Sequence, residues 1–66
     1  MKLGDYVILD MAAIKLAGIS DQFIQEVMGM KENEVYAVLG TTEDYFVILA
    51  GVQDPIWADW LVEVSK

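Results

Sequence analysis

The run Glu34–Gly51, EVYAVLG-TTED-YFVILAG, decides how the chain folds. Two stretches rich in β-branched and aromatic residues flank four polar residues, which is the pattern of a β-hairpin with a four-residue loop. Its alternation is unusual. Val35, Ala37 and Leu39 oppose Tyr36 and Val38 on the first strand, and Tyr45, Val47 and Leu49 oppose Phe46 and Ile48 on the second. A sheet with one face in water alternates apolar with polar residues, so apolar residues on both faces predict burial on both sides. Either the strands coil tightly into a barrel, or another part of the chain covers the second face.

Working toward the N-terminus, residues 10–29 have a helical period and Met30 to Asn33 form a polar connector. Asp10 is placed to cap a short helical turn, MAAIKLA, that Gly18 stops. Ser20 is placed to cap a second, DQFIQEVM, that Gly29 stops. In the second, Phe23/Val27 and Ile24/Met28 stack at i,i+4 while Asp21, Gln22, Gln25 and Glu26 face away. Before them, Tyr6 to Leu9 reads as a short strand, apolar on both faces and entered through Gly4-Asp5. On the other side of the hairpin, Gly51 ends the strand and Gln53-Asp54-Pro55 turns the chain. Ile56-Trp57 reads as a short strand, Ala58-Asp59-Trp60 as a single helical turn, and Leu61 to Val64 as a last strand. With no internal repeat or linker, the 66 residues are expected to form one domain.

The run IWADWLVEVS, residues 56–65, resembles the end of an SH3-like barrel. In that family an apolar strand leads into one 3₁₀ turn, an aromatic residue follows, and the final strand pairs back to the first. GDYVILD and the hairpin suit the remaining strands. The resemblance implies a mostly β fold: a small five-stranded SH3-like barrel with a helix inserted between the first and second strands. Small domains of this type are common among bacteriophage-encoded proteins, which the chain is similar to in size and acidity. The chain departs from the peptide-binding SH3 domains: it lacks an ALYDY-type segment and a tryptophan pair opening the third strand, and Ala58 stands where the 3₁₀ turn would open with proline. The resemblance therefore does not extend to proline-rich ligands.

Composition narrows the function classes. Eleven acids face four lysines, with no arginine or histidine, for a net charge of −7. Lys2, Lys15, Asp5 and Asp10 cancel within residues 1–20, so residues 21–66 carry the entire excess. Such a surface repels phosphate and favours a protein partner with a basic surface. The segment GISDQFIQEV, residues 18–27, has the cadence of a helix-turn-helix. Its would-be reading helix carries Asp21 and Glu26 and no cation for the phosphate backbone, and Ile14 stands where a small residue lets the helices cross. Direct nucleic-acid binding is not expected, and a DNA reader is the weakest reading. A DNA mimic, with carboxylates at phosphate-like intervals, remains an alternative.

With neither His nor Cys, nucleophilic triads, thiol chemistry and histidine metal sites are excluded. The glycines form no phosphate-cradling loop, and Glu32/Glu34, Glu43/Asp44 and Asp54/Asp59 pair carboxylates without a pocket to part their pKa values. A non-enzymatic binding module needing no cofactor or metal is expected. Apolar runs too short for a span or signal peptide, and the missing cysteine, point to a soluble, cytoplasmic protein without a membrane partner. Trp57 and Trp60 are the candidate contacts, with Asp54, Asp59, Glu43 and Asp44 forming an acidic-aromatic patch around them. Ordering the chain costs on the order of 100 kcal/mol at ~1.5 kcal/mol per residue. The apolar content, 56%, is nevertheless more than one small core needs. Met11, Ile14, Leu16, Met28 and Met30 are the residues expected to be left over for a homo-oligomer face.

Overall fold

The computed structural model describes residues 1–64; Ser65, which ends the run IWADWLVEVS, and Lys66 lie outside the described residues. Strand β1 (Tyr6–Leu9) leads into α1 (Met11–Leu16), α2 (Asp21–Phe23) and a π-helical turn (Ile24–Met28). Strands β2 (Tyr36–Thr41), β3 (Phe46–Leu49) and β4 (Ile56–Trp57) follow, then a 3₁₀ turn (Ala58–Trp60) and β5 (Leu61–Val64). All strand pairs are antiparallel, in the order β4-β3-β2-β1-β5.

The expected closed barrel is corrected to an open sheet. Strands β4 and β5 are its two edges, each hydrogen-bonded to one neighbour. The 3₁₀ turn carries the chain between them and is tied at both ends. Ala58 N–H donates to the Tyr45 carbonyl (3.0 Å) and Asp10 N–H donates to the Trp60 carbonyl (2.8 Å).

Burial on both faces is also corrected. Val7 and Leu9, Tyr36 and Val38, Val47 and Leu49, Ile56 and Leu61 turn inward and are buried, while Leu39, Ile48 and Val62 on the other face are exposed. Residues 10–30 cover the inner face only, contributing Ile14, Ile24, Met28 and Met30 to the core. Three of the five residues expected to form an oligomer face, Ile14, Met28 and Met30, are thus core residues. Met11 packs against the core half-buried, and only Leu16, 90% exposed, is free of it.

The helical region begins as its caps dictate: the Asp10 carboxylate accepts from Ala13 N–H (3.2 Å) and the Ser20 hydroxyl from Phe23 N–H (3.2 Å). The second helix, expected to be α throughout, widens after one turn. The Ile24 carbonyl accepts from Gly29 N–H, in the left-handed region at φ 67°, and from Met30 N–H at 3.1 Å. The wider turn brings Met30 into the core directly after the helix ends, with no loop between. Next to it, the connector is pinned by Tyr36, whose hydroxyl donates to the Glu34 carboxylate (2.8 Å) and accepts from Lys31 N–H (2.9 Å). Burial raises the phenol's pKa; the Lys31 contact opposes this, and the Glu34 carboxylate adds to it.

Ile14→Val, removing one methyl group from a fully buried site, is expected to cost about 1 kcal/mol in urea denaturation, and Leu16→Ala, at an exposed one, less than about 0.5 kcal/mol. The Tyr36 phenol predicts an alkaline loss of stability. Its folded pKa lies above its unfolded value, so the contribution is fully present below about pH 10 and is lost as pH rises through the folded value. Tyr36→Phe should remove that part of the pH slope in denaturation series run from neutral to alkaline pH.

Candidate functional site

The register of β3 and β4 sets two aromatic side chains against each other. Val47 pairs with Ile56 on the inner face, so Phe46 and its partner Trp57 stand on the outer one. Their rings meet edge to face, with centroids 5.2 Å apart and planes at 77°, a favoured aromatic geometry worth about 0.5–1.5 kcal/mol beyond burial. Trp60, on the 3₁₀ turn, packs against the core and is half-buried.

These rings form one bank of an open apolar groove of about 330 Å³. The opposite bank is the helical segment, through Phe23 (42% exposed) and Val27 (59% exposed), four residues apart. Buried Met28 and Ile56 also line it, and Asp54 and Pro55 add the turn before β4. Among the described residues Asp54 is the one charged residue lining the groove, and it is exposed. The arrangement suits a bulky apolar group laid against aromatic faces, with a cation met by the Asp54 carboxylate.

The six residues nominated from sequence do not form one patch. Trp57, Trp60 and Asp54 share the groove. Glu43 and Asp59 line a different recess, with Tyr45, Phe46 and Glu63, where Glu63 pairs with the N-terminal ammonium of Met1 at 3.3 Å. Asp44 lines neither; its N–H donates to the Thr42 hydroxyl at 3.4 Å in the hairpin loop. Phe46 separates the two hollows, lining both. The loop holds one backbone outlier, exposed Tyr45 at φ 65°, a conformation costly for a bulky side chain.

Sequence reasoning missed Phe23, Val27, Phe46 and Pro55 as groove residues. Two adjacent apolar pairs on one short helix were the available signal. A helix that narrow turns one pair, Ile24/Met28, fully into the core and leaves the other at its margin. No family model, curated protein or solved structure matches the chain at a significant level.

The two tryptophans should separate on substitution. Trp60→Ala removes a ring packed on the core and is expected to cost about 2–3 kcal/mol, near the low end for large-to-small core changes. Trp57→Ala forfeits chiefly the Phe46 contact, about 1 kcal/mol. Paired chemical denaturation curves check the order.

Proposed function

We propose that this chain is a small, acidic, non-enzymatic protein-binding module that uses the aromatic groove to hold a partner with a basic surface. One observation carries the reading: four aromatic rings, Phe23, Phe46, Trp57 and Trp60, line a groove whose only charged residue, among the described residues, is an acid. Tryptophan at a half-buried position supplies large contact area with little side-chain entropy to lose, which is why it is enriched among binding hot spots. The net charge of −7 steers a basic partner toward this surface and weakens its approach as salt rises.

The strand order β4-β3-β2-β1-β5, with a 3₁₀ turn before the last strand, supports an SH3-like reading of the sheet. From the resemblance to bacteriophage-encoded domains, the setting we propose is a modulator or inhibitor of a host protein acting in the host cytoplasm.

Capture from nuclease-treated bacterial lysate tests the reading when run in parallel on wild type, Trp57→Ala and Asp54→Asn. One protein is expected to be retained stoichiometrically by wild type and released by salt. Trp57→Ala should weaken its affinity by about 30-fold, the scale of a hot spot. Equal retention by wild type and Trp57→Ala would remove the groove from the mechanism. Displacement of the partner by DNA would favour mimicry of nucleic acid instead.

A further inference from the structure

The aromatic groove runs along an edge of the sheet. Strand side chains alternate between two faces, yet Ile56, buried on the inner face, and Trp57, on the outer one, both line the groove. A hollow that takes in both neighbours lies beside the strand rather than over either face. Strand β4 has β3 on one side and no further strand on the other. Val64, the last described residue, pairs with Tyr6 and lines no part of this groove.

The hydrogen-bond register fixes where the Trp57 main chain points. Ala58 N–H donates to the Tyr45 carbonyl (3.0 Å), so Tyr45 and Ala58 are a hydrogen-bonded pair. Such pairs alternate along antiparallel strands with pairs that share no hydrogen bond. Phe46 and Trp57, next in register, are therefore of the second kind. The Phe46 carbonyl confirms the alternation by accepting from Thr42 N–H (2.8 Å) on the β2 side. Trp57 accordingly turns its N–H away from β3, toward the groove. By the same alternation Ile56 N–H faces β3, and Pro55 has no N–H. Trp57 is thus the residue of the lining edge, Pro55 to Trp57, that offers a main-chain donor.

We infer that the groove takes an extended, basic segment of the partner as an added strand, one of whose carbonyls accepts from Trp57 N–H. A bulky apolar side chain of that segment fills the hollow between Phe23, Val27 and the tryptophans. A lysine or arginine within about three residues of it reaches the Asp54 carboxylate. In additions of this kind main-chain bonds give affinity and side-chain pockets give specificity. Charge selects the occupant. A second copy of this chain would bring another Asp54 and a net charge of −7 to the same edge, whereas a basic segment is drawn to it. The added strand rests on the groove being the partner site proposed above.

Amide-resolved NMR titration with two capped lysine-leucine peptides of identical composition tests the added strand. In one the two residues alternate; in the other the leucines have helical spacing. The alternating peptide should move the Trp57 backbone amide proton downfield and bind about tenfold more tightly than its isomer, the scale of one main-chain hydrogen bond. Asp54→Asn should weaken it about threefold, as for an exposed ion pair, and a glutamate-leucine version should not bind at about 1 mM. No shift at the groove, a Trp57 ring that moves while its backbone amide does not, equal binding of the isomer, or binding of the glutamate version would each overturn the inference. The groove reading fails separately, if Trp57→Ala retains the captured partner as wild type does. A partner lost on Trp57→Ala, with the two peptides binding equally, removes the added strand alone.

Discussion

Strand β2 belongs to both halves of the sheet, and the rest of the structure depends on how it bends. Tyr36 and Ala37 pair with β1, whereas Val38, Gly40 and Thr41 pair with β3. Between Val38 and Gly40 the register slips, so that Leu39 and Gly40 together face Ile48 alone. An extra residue on one strand bends that strand and increases its twist. Strands of two to six residues are too short to enclose a core while flat. Bent at Leu39–Gly40, they bring Val7 and Tyr36 from one half and Val38, Val47 and Leu49 from the other into a single cluster.

The same bend divides the outer surface. One part lies over β5, β1 and the start of β2, with Val62, Ile8 and Val35. The other lies over β3 and β4, with Phe46 and Trp57. The aromatic groove therefore follows from the backbone rather than from loops grafted onto it. Its Trp60 rides on a 3₁₀ turn whose ends are hydrogen-bonded to β1's end and to Tyr45. Ring position is coupled to the link between the two sheet edges. Trp60 serves core and groove at once, while Trp57 is held by Phe46 alone among aromatic contacts in the described residues.

Element positions were legible in the sequence because each has a local chemical cause. β-Branched runs mark Tyr6–Leu9 and the hairpin, Asp10 and Ser20 cap as their side chains allow, and Gly29 supplies the left-handed residue ending the helical segment. Sidedness was not legible. When both faces of a strand are apolar, period-two alternation no longer says which face lies inside, and the choice is made by what packs against it. Val7 and Leu9 lie inside, and Ile8 between them does not, because residues 10–30 cover one face. The π-helical turn escaped for the same reason: the demand for it comes from Met30, beyond the helix. Of the site, Trp57, Trp60 and Asp54 were found by residue type and proximity in sequence. Phe23 and Val27 were not legible as groove residues, since an i,i+4 apolar pair looks the same at a core and at its margin.

Thirteen hydrophobic residues are buried, and among the described residues no polar or charged one joins them. A core of that size leaves apolar side chains over in a chain that is 56% apolar. Phe23 and Val27 end at the groove, and Val35, Leu39, Ile48 and Val62 on or beside the outer sheet. Surplus apolar surface on a neutral chain invites indiscriminate association. Here the excess of carboxylates supplies a repulsion that any like-charged encounter must overcome. The acidity and the exposed apolar residues therefore act against each other, the first opposing the indiscriminate association that the second invites.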